Sequence, residues 1–396
     1  MGGARGYANI AAMNDKPAMK PATVAAQALG WIDESTKAVV PPLHPSSTFV
    51  RDPDNQFRSG RVYARADNPT FDQAEAVLAA LENGAGAALF ASGMAAATAV
   101  FLSLKPGDHV VISRVMYWSL RNWLLGFATD WGLKVEIVDT TDLAALKTAM
   151  RPGQTALVWI ETPGNPTLAV SDIAVAAEIA HAAGARLAVD STVATPVFTR
   201  PLELGADIVM HSATKYLNGH SDIIAGALVT RLCDAHWEKI RAIRVQLGGV
   251  LGTFEAWLLL RGMRTLFPRV RAAAASAMAI AQHFRGHPLV ADVLYPGLSN
   301  FPGHDVAARQ MTGGFGGLLS LRVKGGERAA IATAANVKIW KRATSLGGVE
   351  SLVEHRASVE GADSPAPPDL LRLSTGIEET SDLIDDLEAA LSAAHS

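Results

Sequence analysis

RLAVDST (residues 186–192) and DIVMHSATKY (residues 207–216) are two short apolar runs that end abruptly in polar clusters. Such runs, bounded by polar residues, read as strands. The pattern repeats outward from them. HVVIS (109–113), KVEIV (134–138), ALVWI (156–160) and ALVT (227–230) are further candidate strands, with amphipathic stretches between them. The clearest of these is Ser171 to Ala183: a Ser cap, Asp172 in the first turn, Ile173, Ala176, Ala177 and Ala180 on one face, and Gly184 as the stop. Alternating strands and helices imply an α/β domain with a mostly parallel sheet, whose ligands collect at the carboxyl ends of the strands.

Ala85 to Leu104 carries no charge over the length of a membrane span. Its Ala/Gly composition and the break at Ser92-Gly93 instead predict a short strand, 88–91, followed by a buried helix, 94–104. After Gly248-Gly249 the texture changes to a long Ala/Leu/Arg-rich helical region, 254–284, then to Gly-rich turns, the strand LLSLRV (318–323) and a closing helix over 382–394. This predicts three parts: an arm over 1–60 containing the extended PPLHPSSTF (41–49), a ligand-binding α/β domain over 61–252, and a smaller α+β domain over 253–396. Asp363 to Pro368 reads as a surface loop.

The chain has 396 residues and a formal net charge of −3, with Lys and Arg scattered. That balance gives no footprint for nucleic acid, so partners are expected to be small molecules or copies of the chain itself. One cysteine, Cys233, precludes an internal disulfide framework and fits a reducing, cytoplasmic compartment. The first 20 residues lack the apolar core of a secretory signal.

The polar residues that follow the strands carry the chemistry. Asp190, Ser212, Thr214 and Lys215 fall at neighbouring strand ends. Burial disfavours a charged lysine, and a lowered pKa is what imine-forming lysines need. A nearby carboxylate could keep a pyridine nitrogen protonated and make its ring an electron sink. The alternative is a buried Asp–Lys ion pair, and these two segments alone leave both open. In FASGMAA (90–96) a strand ends in Ser-Gly where a helix begins, a place where backbone N–H groups and the helix dipole favour phosphate. With the hydroxyls of Ser212 and Thr214 this points to a monophosphate cradle, since no G-x-G-x-x-G or Walker-type lysine motif occurs in the right context. WIETPGNPTLAV (159–170) places Glu161 and Asn165 at the lip of a strand-end loop.

Together, YARADNPT (63–70), ASGMAA (91–96), ETPGNPT (161–167), VDST (189–192), SATKYLNGHSD (212–222) and SLGGVESL (345–352) resemble the Cys/Met-metabolism family of pyridoxal-phosphate enzymes. The resemblance runs in order from VVPPLHPSSTF (39–49) to LRLSTGIE (371–378). It implies fold-type I, the aspartate aminotransferase-like architecture, and pyridoxal 5'-phosphate as cofactor. Lys215 would hold the cofactor as an imine and then move protons on the substrate. Asp190 would pair with the pyridine nitrogen, and Thr192 belongs to the same cofactor-binding motif. Gly93, Met94, Ser212 and Thr214 would hold the phosphate, and Asn165 would meet the ring hydroxyl. Tyr117 would stack over the ring and, with Tyr63, act in catalysis. Tyr63 and Arg65 would reach the phosphate of a neighbouring subunit, which implies a homo-oligomer, usually a tetramer built as a dimer of dimers. Arg372 with Ser345 would bind the substrate carboxylate, a task that suits the planar guanidinium fork.

Some positions depart from the family pattern. Ala64 and Asp67 alter the Y-x-R loop, and the small residues usual after Tyr117 become WSLRNW, which brings Trp118, Arg121 and Asn122 toward the distal end of the substrate. Thr344, before the SLGG serine, matches neither the acid of many γ-lyases nor the aromatic of some β-lyases, and Leu346 stands where some β-lyases carry tryptophan. The expected reaction is therefore elimination at the γ (or β) carbon of a sulfur amino acid such as cystathionine. The alternatives are γ-replacement on an activated homoserine, γ-elimination of a non-sulfur group such as an oxyguanidine, and a non-catalytic binder of the cofactor. His283 and His287 are not expected to bind metal, because Gly286 and Pro288 break the helix that would align them. His211 and His220 are expected to be structural, and Cys233 to be inert.

Overall fold

The computed structural model describes residues 19–361 and 366–396. The terminal stretch read above for an export signal lies almost wholly outside the described residues, as does part of the 363–368 loop. Seven strands form the larger sheet: β1 (Gly86–Phe90), β2 (His109–Ser113), β3 (Lys134–Val138), β4 (Thr155–Glu161), β5 (Arg186–Asp190), β6 (Ile208–His211) and β7 (Gly226–Thr230). Their order is β1-β7-β6-β5-β4-β2-β3. Only β7 runs against its neighbours, pairing antiparallel with both β1 and β6. The chain builds β2 and β3, then crosses to lay β4, β5 and β6 on the other side of β2. Crevices outside the carboxyl ends of strands at such a reversal are where open α/β sheets bind ligands.

Helices cover both faces of this sheet and bury apolar rows. In the helix Ile173–Ala182, Ile173, Ala176, Ala177 and Ala180 face inward, as the 3.6-residue spacing requires. Its cap is a correction to the sequence reading. Asp172, not Ser171, accepts from Val175 N at 3.1 Å, while Ser171 turns inward to Thr140 Oγ1 (2.8 Å) and Thr162 Oγ1 (3.1 Å). Phe101 and Trp159 pack with ring centroids 5.2 Å apart on the opposite face, each fully buried and each contributing roughly 1.5–3 kcal/mol through burial or more.

The uncharged stretch 85–104 is β1 and the helix Gly93–Leu102, as expected. Among the described residues no helix is long and apolar enough to cross a membrane. The helical region 254–284 is two helices, Thr253–Met263 and Leu266–Phe284, which break at Arg264-Thr265. They lead to a second sheet of β8 (Val290–Leu294), β9 (Leu318–Val323), β10 (Lys341–Arg342), β11 (Leu352–His355) and β12 (Leu370–Ser374), in the order β10-β11-β12-β9-β8. The closing helix, Thr380–Ala394, packs against Gly326–Asn336 and the long helix Leu266–Phe284.

Candidate active site

The ends of β4, β5 and β6 meet in a cavity of about 250 Å³ whose wall includes Gly93, Met94, Tyr117, Glu161, Asp190 and Lys215. Asn165, Thr192, Ser212, Thr214 and Leu346 also line it. Residues far apart in sequence arrive together because parallel strands present their carboxyl ends on one edge.

Asp190 is the last residue of β5 and is buried. Its Oδ1 accepts from Thr192 N (3.0 Å) and Thr192 Oγ1 (2.6 Å). Thr192 Oγ1 also accepts from Ser212 N at 2.8 Å, so one hydroxyl ties β5 to the turn after β6. Lys215 lies in that turn, and its Nζ donates to Ser345 Oγ at 2.7 Å. Ser345 adopts a φ of +112°, a conformation that costs a non-glycine residue energy and that recurs at functional sites. Among the described residues Asp190 and Lys215 form no ion pair with each other: one holds a threonine and the other a serine. The buried-pair alternative left open by the sequence therefore fails. Burial, aided by the Arg372 charge, lowers the Lys215 pKa to about 8. Burial raises that of Asp190.

The helix Gly93–Leu102 starts at the cavity, where Ser92 caps it through Ala95 N (3.0 Å). Glycine at 93 is required by close approach, since a Cβ there would stand 2.9 Å from Ser212 Oγ. A Cβ at Gly226 would fall 2.1 Å from Ser92 O. This packing sets the first turn of the helix at Gly93 beside Ser212, where its leading N–H groups make a cradle suited to an oxyanion. Thr214 Oγ1 is already engaged with Ala225, donating to its O (3.1 Å) and accepting from its N (2.9 Å).

Glu161, noted in the sequence only as a lip residue, is more central. It is buried at the end of β4, and its two oxygens accept from Tyr117 N (2.6 Å) and Asn165 N (2.9 Å). It thus fixes the two loops that carry Tyr117 and Asn165. Burial and the neighbouring Asp190 hold its carboxyl well above the usual range. Arg372 on β12 and Ser345 lie just behind this wall rather than on it: Arg372 donates through Nη2 to Ser345 O (2.7 Å) and to Glu354 Oε2 (2.6 Å), with Nη1 3.5 Å from the wall residue Asn165 at Oδ1. Burial lowers its pKa to about 10.

Other residues singled out in the sequence lie off this wall. Leu120, rather than Trp118, Arg121 or Asn122, faces the cavity from the helix Trp118–Trp123, and Asn122 is exposed. Thr344 is exposed and bonds Glu354 Oε1 at 2.5 Å. Tyr63 is 49% exposed, and Arg65 lies over its ring at 5.7 Å. His283 and His287 both reach Glu388, at 2.6 and 3.1 Å, and among the described residues no cluster of His, Cys, Asp and Glu could hold a metal ion. His211 bonds Glu82 at 2.6 Å inside the core, and His220 bonds Asn218 O.

A lysine of lowered pKa, a buried carboxylate that pairs with no cation among the described residues and an N–H cradle on one cavity define a site that fits pyridoxal phosphate: amine for aldehyde, acid for ring nitrogen, amides for phosphate. The profile of the Cys/Met metabolism PLP-dependent enzyme family matches residues 22–392. The chain belongs to that family and is a pyridoxal-phosphate-dependent enzyme of fold-type I. It is 45% identical to cystathionine gamma-synthase of Mycobacterium tuberculosis over 94% of this chain and 96% of that one. It is 40% identical to cystathionine gamma-lyase of Bacillus subtilis over 91% of this chain and 96% of the other. The crystal structure of cystathionine gamma synthase from Xanthomonas oryzae pv. oryzae in complex with aminoacrylate and cysteine superposes with a TM-score of 0.90, at 39% identity, covering 96% of this chain and 99% of that chain.

Proposed function

We propose that this enzyme removes the γ substituent of a sulfur amino acid such as cystathionine, which with water gives cysteine, 2-oxobutyrate and ammonia. The observation that carries the reading is the pair of Lys215 and Asp190, each turned to the same cavity and neither neutralising the other. When bound, pyridoxal phosphate supplies an aldehyde that condenses with amines and a ring that withdraws electrons from the substrate's α carbon.

In this proposal Lys215 Nζ is the amine that holds the cofactor and, once displaced by substrate, the base that takes the α and β protons and returns them. A pKa near 8 supports the role, because an appreciable fraction of the amine is unprotonated near neutral pH. Asp190 keeps a proton on the ring nitrogen, with Thr192 fixing its angle. Gly93, Met94, Ser212 and Thr214 hold the phosphate. Tyr117 covers one face of the ring and Asn165 meets its hydroxyl. Arg372 and Ser345 take the substrate carboxylate, while Thr344 and Asn122 belong to the outer part of the substrate path. Leu346 on the wall leaves room that an aromatic residue would fill, which favours γ over β chemistry.

A second reading, γ-replacement on an activated homoserine, is supported by the name of the 45%-identical mycobacterial relative. Cystathionine separates the cases. Identification of the keto acid by mass should give 2-oxobutyrate. Pyruvate as the main product would reverse the γ assignment, and turnover only when a thiol is supplied together with an activated homoserine would favour replacement.

The arm over 1–60, the cofactor domain over 61–252 and the C-terminal domain over 253–396 are proposed as the working parts of a cytoplasmic homotetramer. Exposed Tyr63 and Arg65, off the wall of their own cavity, are proposed to complete the phosphate site of a partner subunit. Mixing Arg65→Ala with Lys215→Ala subunits should then restore part of the activity that each lacks alone. No recovery after subunit exchange has been verified would remove the shared site.

A further inference from the structure

Arg372 heads a row of four charged side chains. Glu354 on β11 stands directly opposite Arg372 on β12 in the antiparallel ladder. Its Oε2 accepts from Arg372 Nη2 at 2.6 Å and from Arg356 Nη1 at 2.8 Å, and its Oε1 accepts from Thr344. Arg356 in turn bonds Glu360 Oε1 through Nε (3.1 Å) and Nη2. The side chains of all four are at most 7% exposed. A buried carboxylate with only Arg372 for a partner would cancel that arginine's charge where a substrate carboxylate needs it. Here a second guanidinium shares the same oxygen.

We propose that Arg356 and Glu360 are positioning residues that set the charge of Arg372: Arg356 draws on Glu354, so that Arg372 keeps its attraction for a carboxylate at the cavity, and Glu360 limits that effect. This rests on the reading of Arg372 as the carboxylate ligand. Counted over the four described side chains, the row is neutral with alternating signs. Removing Arg356 leaves it one unit negative, and removing the charge of Glu360 leaves it one unit positive. In a poorly screened interior such single-charge changes act strongly over a few ångströms. The two substitutions should therefore move carboxylate binding in opposite directions, whereas a row that served only to hold the fold together would make both variants worse.

The test uses the full-length holoenzyme and two readouts: KM against kcat for the amino-acid substrate, and the Kd of butyrate, a carboxylate without an amine, by isothermal titration. Arg356→Gln should raise KM and the butyrate Kd by about tenfold, the size of one charge-assisted contact, with kcat changed much less. Glu360→Gln should lower the butyrate Kd severalfold, and Arg356→Gln/Glu360→Gln, neutral again, should return it to within about twofold of the parent. If Arg356→Gln does not fold, the Glu360→Gln variant and the double variant still decide the sign. Weaker binding in Glu360→Gln, or a double variant as impaired as Arg356→Gln, overturns the proposal. Arg372→Gln separates the two levels: an unchanged butyrate Kd there defeats the carboxylate reading and this proposal with it, while a raised Kd alongside unresponsive Arg356 and Glu360 variants defeats this proposal alone.

Discussion

The two sheets bury charge against the same cavity in opposite ways. At the ends of β5 and β6, Asp190 and Lys215 hold, among the described residues, the hydroxyl and amide groups of Thr192 and Ser345. Behind β12, Glu354, Arg356, Glu360 and Arg372 are joined nitrogen to oxygen in a row. The first arrangement keeps charge available at a cost in stability, since burial opposes the ionised forms of both residues. The second joins opposite charges to one another, and its last member, Arg372, reaches Asn165 on the cavity wall. A buried ion therefore reads as chemistry or as support according to what holds it.

The contrast is tested most severely by removing one charge from each region. Lys215→Ala should lower turnover by roughly 10²–10⁴-fold, as loss of a proton-transferring base does, while still taking up cofactor. Its folding stability should not suffer, because the lost amine has no ion-pair partner among the described residues and is bonded to Ser345 Oγ. Arg356→Gln should show the reverse, costing about 3–5 kcal/mol of stability through the uncompensated carboxylates it leaves. A Lys215→Ala protein that melts as early as Arg356→Gln would erase the distinction.

Next in size, Asp190→Asn should weaken pyridoxal phosphate binding by roughly 10–150-fold, the equivalent of about 1.5–3 kcal/mol for a charge-assisted contact. Equilibrium dialysis of the cofactor measures this, and an unchanged affinity would take Asp190 out of the site.

The remaining effect is one of pH. The folded pKa of Lys215, about 8, lies below the ordinary lysine value of 10.5. The unfolded chain therefore binds more protons between these values, and stability of the wild type should rise with pH across that window relative to Lys215→Ala. Paired thermal melts of the apoprotein from pH 7 to 10 should show the wild type gaining on the variant. Parallel curves would mean the lysine is not desolvated.

Much of this was legible from residues whose reasons are local. The strands at 109–113, 134–138 and 186–190 are compact apolar runs with polar ends, and each formed at its expected position. Strand direction was not legible, because Ala227 to Thr230 has the same composition whichever way it runs. The cap of the helix Ile173–Ala182 was misread by one residue because both Ser171 and Asp172 can cap, and only tertiary contacts to Thr140 and Thr162 decide between them. In the site, Asp190 and Lys215 stood out as charges after apolar strands. Glu161 was visible but without a task, since its task is to hold backbone N–H groups of two distant loops. The pairing of Glu354 with Arg372 depends on the register of a β-pair whose strands lie about 15 residues apart in sequence, and spacing alone does not give it.

The reversed strand β7 also fixes a timetable. Among the described residues it is the only sheet neighbour of β1, yet it ends about 140 residues after β1 does, which at roughly 5–20 residues per second of synthesis is on the order of ten seconds. For that interval β1 is an unprotected edge on the nascent chain, and Gly226 has not yet come to rest against Ser92. The turn at Ser92-Gly93, proposed to cradle the phosphate, is thus one of the last parts of the large sheet to close, and a ribosome-stalled chain ending before Gly226 should emerge without the capacity to retain cofactor.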